Sequence, residues 1–416
     1  MSRRRLPLPA AARAVVLEGL FSRLSFGLIT FALPLYARHL GFSLSQIGLL
    51  VALNTAVSMT LKPLTGWVAD RAGFKRTLLA GIGLRSVVSG LFGLASAPWH
   101  LFAIRSVHGL SMSLRDPSVN ALIAETGGER QVASAFAWYQ TAKSLAGQLS
   151  KSVAGFLLSL TGADYSIVFF VAFGLSVLPA LVVARFVPDD RREARAAPRA
   201  GAPVGPATTP AERPRILPFM GLGFLINTTA DMLDGLVPII ATEYAGLSTA
   251  QTGLIYTIAS VVLVVSGPVF GWLTDRGRAS LVLPIRGAAN ALSAIVYVFA
   301  PSFGGVMSAK ALDDLGKAAY QPAWGALMAH VSGFDRRNRA RTISFLTVGE
   351  DLGSVIAPVF AGLLWTTWGL AAAMGARVVL ALVTELYAFA VARPRVERRP
   401  GPARAPLQIE AAAGDG

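Results

Sequence analysis

Long apolar segments separated by short polar ones recur along almost the whole chain. A run of about 20 apolar residues is long enough to cross the hydrocarbon core of a bilayer as a helix. Twelve such runs are predicted, over residues 14–37, 45–69, 77–97, 100–125, 132–160, 164–186, 216–242, 249–274, 280–300, 303–330, 341–366 and 368–392. The pattern therefore predicts an all-α membrane protein, and an even number of spans places both termini on one side.

The spans fall into two groups of six, separated by a polar segment. Residues 187–215 are rich in Pro, Ala and Arg and have no apolar periodicity, which is typical of a flexible linker. We therefore expect an N-terminal bundle over 1–186, the linker over 187–215, a C-terminal bundle over 216–393 and a disordered tail over 394–416.

Composition agrees with a membrane protein. Hydrophobic residues make up 53% of the chain and charged residues 15%, and the mean hydropathy is +0.55. The absence of cysteine excludes disulfides, thiol catalysis and thiolate metal sites. The sequence also carries no P-loop, dinucleotide-binding glycine loop, zinc-site spacing or nucleophile elbow, so we predict neither an enzyme nor a cofactor.

The net charge of +15 could indicate a nucleic-acid partner, but the placement of the charges favours a bilayer. Lys and Arg cluster in alternate loops, at 3–13, 71–76, 130, 185–215, 276–278, 336–341 and 393–404, with Arg38 the main exception. The positive-inside rule assigns these loops to the cytoplasm. We therefore expect a multi-pass inner (plasma) membrane protein with both termini cytoplasmic, no nucleic-acid partner and a monomeric state.

A short motif between the second and third predicted spans recurs in the second half. Residues 63–76 (PLTGWVADRAGFKR) end one apolar run and turn on two glycines, and residues 268–276 (PVFGWLTDR) repeat the pattern 205 positions later. The same offset relates Gly41, Ser43, Gln46 and Gly48 to identical residue types at 246, 248, 251 and 253. A duplicated helix–turn–helix at one spacing implies a duplicated bundle.

The hairpin resembles the loop motif between spans two and three of the major facilitator superfamily, and its copy resembles the motif between spans eight and nine. The residues that carry the resemblance are Gly66, Asp70, Arg71, Gly73, Lys75 and Arg76 in the first copy and Gly271, Asp275 and Arg276 in the second. The resemblance implies two pseudo-symmetric six-helix bundles that rock about a midplane site. It also implies that the motif gates this motion, with Asp70 steadying one conformer near a helix end. The alternative is a basic loop that only sets topology.

Many charged residues lie inside the predicted spans. Such a residue costs about 2.5–3.5 kcal/mol at a span centre, so it normally faces a cavity or a partner. The first half carries mainly cations in its spans, and the second half leans acidic. We expect the cavity or coupling residues to be Arg105, Arg115, Lys143, Asp231, Asp234, Lys310, Asp313, Asp314, Lys317 and Glu350. For Lys62, Arg85 and Arg286, snorkelling to the cytoplasmic surface is the expected explanation.

Helical spacing sorts these residues onto faces. Lys310, Asp313, Asp314 and Lys317 occupy one stripe of span ten, where neighbours can pair. On the same reasoning, two further faces are predicted to line the cavity, that of Lys143, Gly147 and Lys151 and that of Asn227, Asp231 and Asp234.

Residues 105–109 (RSVHG) resemble the span-four Arg-x-x-Gln-Gly motif, whose Arg the family associates with proton coupling. His108 stands where that motif has Gln.

These features predict a secondary transporter of a small organic molecule. We expect proton-coupled export, with cations of spans four and five facing acids of spans seven, ten and eleven. Asp231 and Asp234 have no cation on their own stripe, so they are the predicted proton carriers. Proton-coupled uptake of an organic anion is the alternative favoured by the basic first half, and a non-transporting sensor or scaffold is a third.

Overall fold

The computed structural model describes residues 10–126, 128–187, 216–276, 279–333 and 339–396, and these contain helices and no strand. Spans 1 to 6 are Ala10–His39, Leu44–Ala72, Phe74–Leu94, Pro98–Thr126, Gly128–Leu160 and Tyr165–Phe186. Spans 8 to 10 are Thr249–Asp275, Ala279–Phe299 and Phe303–Gly333. Spans 11 and 12 form one helical assignment, Arg339–Val396, interrupted at Gly369, where a φ of 85° favours glycine. Eleven of the twelve predicted apolar segments thus correspond to a helix.

Span 7 departs from its prediction as one continuous helix over 216–242. The helix Ile216–Asp231 ends in a turn, and the chain continues as a short helix, Val237–Ile239, and a π-helical turn, Ile240–Tyr244. Gly235 has a φ of +75°, and Pro238 lacks the N–H that an uninterrupted helix would use. The predicted common face of Asn227, Asp231 and Asp234 therefore does not exist as a regular helical face, because Asp234 lies in the turn.

The predicted linker and tail lie almost wholly outside the described residues. The last helix continues to Val396, so residues 394–396 are helical rather than part of a disordered tail.

Within the described residues, six helices are long and apolar enough to cross a bilayer by length and composition alone, and one of these stretches, Phe345–Val391, covers spans 11 and 12 together. Spans 4, 5, 7, 9 and 10 are not among them. Spans 4, 5 and 10 carry ionisable and other polar side chains, which lower their hydropathy.

The sequence repeat is also a structural repeat at the start of spans 2 and 8. Gly41 and Gly246 both have positive φ, at 86° and 66°. Ser43 and Ser248 then cap the two helices, each in a reciprocal capping box with the Gln three residues later. Two turns of the same chemistry therefore begin equivalent helices in the two halves.

Packing within each half forms a helical bundle, and two pairs of spans form the main contacts between the halves. Span 1 packs on spans 5 and 6, and span 2 packs on span 4 in the first bundle. In the second bundle, span 7 packs on the helix of spans 11 and 12, and span 10 packs on spans 8 and 9. Span 2 meets the helix of spans 11 and 12 and span 5 meets span 8 across the interface, which leaves a space between the bundles.

Candidate functional site

A cavity of about 930 Å³, including its open mouth, lies between the two bundles. Spans 1, 5, 7, 8 and 10 line it. Small-molecule sites are mostly apolar with few polar groups, so the charged lining of this cavity is unusually dense for one. The lining ionisable residues are Arg23, Lys143 and Lys151 from the first half and Asp231, Asp234, Lys310, Asp313, Asp314 and Lys317 from the second. A basic wall therefore faces a mixed, acid-rich wall.

The break in span 7 presents two carboxylates to this cavity. The helix ends at Asp231, and the backbone N–H of Asp234 donates to the Asp231 carbonyl over 3.0 Å, which closes the first turn. Asp234 is exposed to the cavity, and Ser354 of span 11 donates its hydroxyl to Asp231 Oδ2 over 2.6 Å. Carbonyls at the carboxyl end of a helix carry partial negative charge, so this end favours cations or protonated acids.

The predicted stripe of span 10 forms ion pairs. Lys310 Nζ lies 2.5 Å from Asp314 Oδ1, and Lys317 Nζ lies 3.3 Å from Asp313 Oδ2. Asp313 is also bound by the fully buried guanidinium of Arg377 at 2.5 Å. Gln148 of span 5 donates to Asp314 Oδ2 over 2.7 Å, so this network reaches across the interface.

The basic wall contains a residue that the sequence did not assign to the cavity. Arg23 of span 1 lines it beside Lys143 and Lys151 of span 5. Arg23 is an isolated cation in span 1, and no second charged residue at helical spacing indicates which side of the helix faces the cavity. The available sequence signal is Gly147, a small residue four positions from each lysine, which can accommodate a large side chain from another helix. In the structure, a Cβ at Gly147 would lie 3.0 Å from Arg23 Nε.

Arg115 lies away from the cavity, contrary to the expected pairing with an acid of the second half. Its guanidinium donates to both oxygens of Glu18, over 2.9 and 3.0 Å, and to the hydroxyl of Tyr139 over 2.9 Å. Glu18 is fully buried and Arg115 is 5% exposed. The first half therefore neutralises this cation internally, joining spans 1, 4 and 5.

Arg105 and Glu350 also lie outside the cavity lining. Arg105 is buried and donates to the span 2 carbonyls of Leu50 and Val51 over 3.2 and 3.4 Å. His108, one turn further along span 4, stacks on Phe26 with ring centroids 4.4 Å apart. Glu350 accepts a hydrogen bond from the indole of Trp324 within the second half. Both ionisable residues thus hold helices together in this conformer.

Snorkelling does not describe the three cations for which it was expected. Lys62 forms an ion pair with Asp351 of span 11 across the interface. Arg85 is buried, donates to Ser22 over 2.8 Å and lies 4.5 Å from the ring centre of Phe26. Arg286 is buried over the ring of Tyr320 at 4.3 Å. Interior partners, which are far apart in sequence, hold all three.

The two halves close against each other at the end opposite the hairpin, which we call the distal end. A Cβ at Gly48 would lie 2.1 Å from the Pro358 carbonyl oxygen, and one at Gly253 would lie 2.7 Å from that of Ser152. Arg38 binds both oxygens of Glu243 over 2.7 and 2.8 Å. Arg38 and Glu243 are themselves one repeat apart, so the pseudo-symmetry brings opposite charges together at this end.

At the hairpin end, Gly66 and Gly271 of the two motif copies make no comparable close contact with a described residue. A Cβ added at Gly66 or at Gly271 would have no neighbouring heavy atom within 4 Å. Asp70 is exposed and has no hydrogen bond or ion pair to another described residue, and the side chain of Asp275 lies outside the described set. Arg71 stacks on Trp67 and Arg276 on Trp272, at 3.7 and 3.5 Å from the ring centres. Sequence reasoning missed this repeated cation–π pair, although Trp and Arg recur at the same offset.

Two pseudo-symmetric six-helix halves around a charged midplane cavity, closed at one end, form the architecture of an alternating-access membrane transporter. The sequence matches the profile of the Major Facilitator Superfamily over residues 16–309 and 219–413. The chain belongs to this superfamily, whose members are transporters and not enzymes.

Curated relatives of this chain include efflux proteins. Multidrug resistance protein MdtG of Erwinia billingiae is 26% identical over 391 residues, which cover 90% of this chain and 92% of that protein. Quinolone resistance protein NorA of Staphylococcus aureus is 27% identical over 169 residues, covering 41% of this chain and 43% of that protein.

Solved structures share the twelve-helix fold. A bacterial homologue of the human lysosomal transporter Spinster, in an inward-facing and occupied conformation, superposes with a TM-score of 0.72 at 16% identity, covering 94% of this chain and 98% of that one. The nucleoside transporter NupG gives a TM-score of 0.70 at 13% identity, covering 94% and 99%. The predicted twelve-span fold is therefore confirmed.

Proposed function

We propose that this protein exports a small organic molecule by alternating access and uses the proton gradient as its energy source. The observation that carries the proposal is the charged cavity between two bundles that are in close contact at the distal end. Export as the direction draws on the efflux relatives. No cofactor enters this mechanism, and a single chain supplies both halves of the cavity.

The proposed orientation places the hairpin end and both termini in the cytoplasm, because the basic loops lie at that end. The described conformer is then inward-facing and ready to take substrate from the cytoplasm. Closure at the hairpin end would bring the motif around Asp70 against the second half, and the pair Arg38–Glu243 would separate at the distal end.

The proposal is tested with purified protein in liposomes that carry an imposed proton gradient. Pooled labelled lipophilic amines and organic acids serve as substrates, and the same vesicles without a gradient serve as the reference. Transport of a compound against an opposing proton flux supports export. Absence of gradient-dependent flux for every compound, with protein that remains folded, contradicts the proposal and favours a sensor or scaffold.

Asp234 and Asp231 are the proposed proton carriers. Both border the cavity, where Arg23, Lys151, Lys310 and Lys317 are the cations facing them from spans 1, 5 and 10. Neither Asp forms an ion pair with a described cation, whereas Asp313 and Asp314 do.

We expect Asp234→Asn to remove most of the dependence of transport on the proton gradient, because an amide cannot exchange the proton. Initial rates across a range of external pH, with Asp231→Asn in parallel, measure this. Asp116→Asn is the matched control, since Asp116 pairs with Arg115 on span 4 and does not line the cavity. An unchanged pH profile in both cavity variants contradicts the assignment.

Proton-coupled uptake of an organic anion is a second candidate function. The basic wall of Arg23, Lys143 and Lys151 favours it, because an anion entering with a proton would balance charge in the cavity. Accumulation of a labelled acid together with proton influx would distinguish uptake from export.

A further inference from the structure

The basic wall of the cavity has no counter-ion of its own. Arg23, Lys143 and Lys151, which we call the cation row, line the cavity, yet none forms an ion pair with a described acid. All three are half-buried. Intramembrane charges normally have a partner, because an uncompensated charge is costly in a medium of low dielectric. An unpaired row of three cations is therefore an exception that needs an explanation.

Local geometry holds the three cations together. Lys143, Gly147 and Lys151 follow one another at intervals of four on span 5, so they share a face. Arg23 of span 1 lies against this face at Gly147, where a Cβ would be 3.0 Å from its Nε. The missing side chain thus lets the guanidinium sit between the two lysines. Span 1 is fixed to span 5 nearby, since Ser150 Oγ lies 3.4 Å from the Arg23 carbonyl oxygen.

Aromatic rings offer the row only partial compensation. Lys143 Nζ is 5.3 Å from the ring centre of Tyr139, Lys151 Nζ is 5.1 Å from that of Tyr256, and Arg23 Cζ is 5.8 Å from that of Phe26. Such contacts are weaker than an ion pair with a carboxylate.

The opposite wall supplies no direct partner: Asp231 and Asp234 face the row across the cavity without an ion pair among the described residues. Its acids Asp313 and Asp314 are bound by Lys317, Arg377 and Lys310, so they are not available to the row.

We propose that the cation row binds the substrate through an anionic group, so that the transported compounds are organic acids, or zwitterions whose amine lies near Asp234. The row presents ammonium and guanidinium donors suited to a carboxylate. Asp234 is exposed across the same cavity, at the carboxyl end of a helix that favours a cation. This inference names the substrate class of the proposed transporter and rests on that function, but it holds for either direction of transport.

The proposal is tested by equilibrium binding in detergent, which needs neither a gradient nor transport. The probes are matched by their ring: hydrocinnamate as the anion, phenylalanine as the zwitterion and phenethylamine as the cation, with benzoate and naphthoate extending the range of acids. We expect at least one acid or the zwitterion to bind at millimolar concentration or below, and to be bound more tightly than the amine. Binding of the amine alone, or of neither an organic acid nor the zwitterion, overturns the proposal. Full competition by chloride with no preference for the organic acids marks an inorganic-anion site only and also overturns it.

Variants locate the binding on the row. Arg23→Met, Lys143→Met and Lys151→Met each remove one charge while keeping an extended side chain, and we expect each to weaken acid binding about tenfold to a hundredfold. Lys151→Arg keeps the charge and should retain most of the affinity. Arg185→Gln removes one exposed cation at the end of span 6, outside the cavity, and should leave binding unchanged. Equal effects of Arg185→Gln and Lys151→Met would contradict a local site.

A second readout separates binding from a structural role. Removing an unpaired cation should leave the melting temperature of the ligand-free protein unchanged or raise it, because no partner is orphaned. Stabilisation by the acid should disappear in the same variants. A lower ligand-free melting temperature with unchanged acid affinity would make the row structural and overturn the proposal. Acid binding without gradient-driven flux would contradict the proposed transport and leave the anion site in place. Gradient-driven flux of amines without acid binding would support transport and overturn the anion site.

Discussion

Glu18→Gln is expected to lower the free energy of unfolding by about 3 kcal/mol, because it leaves Arg115 buried without its bidentate partner. Glu18 is fully buried and accepts two charge-assisted hydrogen bonds from the guanidinium. The amide of Gln can accept on one side only, and its NH₂ group meets a donor on the other. Denaturation in mild detergent, followed by circular dichroism, measures the change.

Asp116→Asn provides the matched control for this prediction. Asp116 binds the same guanidinium over 3.0 Å, but its side chain is 36% exposed. Loss of an exposed pair typically costs about 0–1 kcal/mol, so the two isosteric changes around one arginine should differ severalfold. Equal and small effects would show that the Glu18–Arg115 pair does not hold the first bundle together.

The consequence for function is that Arg115 is a poor candidate for a substrate ligand in this conformer. Its charge is neutralised by span 1, so the anion-binding capacity of the first half lies in the cation row. Sequence spacing indicated a basic interior correctly but assigned Arg115 to the wrong surroundings.

The helices could be predicted because their information is local. A run of apolar residues bounded by Gly41 and the Ser43 capping box identifies the start of span 2 without knowledge of any neighbour, and span 8 repeats it. The break in span 7 is harder to predict from the sequence. Gly235 and Pro238 are also tolerated inside membrane helices, as Pro34 is in span 1, so their presence alone does not decide between a kink and an interruption.

The ion pairs also divide into those that local sequence predicts and those that it does not. Lys310 and Asp314 pair at four residues' separation, which helical geometry predicts directly. Glu18 and Arg115 are 97 positions apart, and Lys62 and Asp351 are 289 apart. No periodicity in a single sequence relates such pairs, because the way helices are packed decides which faces meet.

Conformational state is a third kind of information that one sequence does not carry. The hairpin motif predicted a gate, and Asp70 is exposed here without a described partner. At the distal end, by contrast, Gly48 and Gly253, which the repeat marks as equivalent, are points of close approach between the halves. The repeat therefore marks positions at both ends where the halves can meet, but it does not indicate at which end they are in contact in a given conformer.

This closure leads to an expected result for Gly48→Leu. A Cβ at this position would lie 2.1 Å from the carbonyl oxygen of Pro358, which is backbone and cannot rotate away. The side chain should therefore force spans 2 and 11 apart at the distal end. Overpacking of this kind costs about 1–3 kcal/mol, which shifts a two-state equilibrium about 5- to 150-fold toward the conformer that is open there.

The shift can be measured by electron–electron distance spectroscopy without first removing native thiols, because the chain has no cysteine. Spin labels at Ser96→Cys and Ser302→Cys would report on exposed distal loops of the two halves. Gly48→Leu should move their distance distribution to longer values, and Gly253→Leu should act in the same direction, since its Cβ would lie 2.7 Å from the Ser152 carbonyl oxygen.

Gly66→Leu is the matched control, on the same helix as Gly48 and with the same gain in helix propensity. Nothing lies within 4 Å of a Cβ at Gly66 in the present conformer, so the added side chain has room here and would obstruct closure at the hairpin end. It should therefore leave the distal distance short. If Gly48→Leu also left it short, or if Gly66→Leu lengthened it as much, the close contacts of spans 2 and 11 would not be the element that sets the conformer. Opposite responses at Gly48 and Gly66 would instead show that the two ends of span 2 pack against the second half in different conformers.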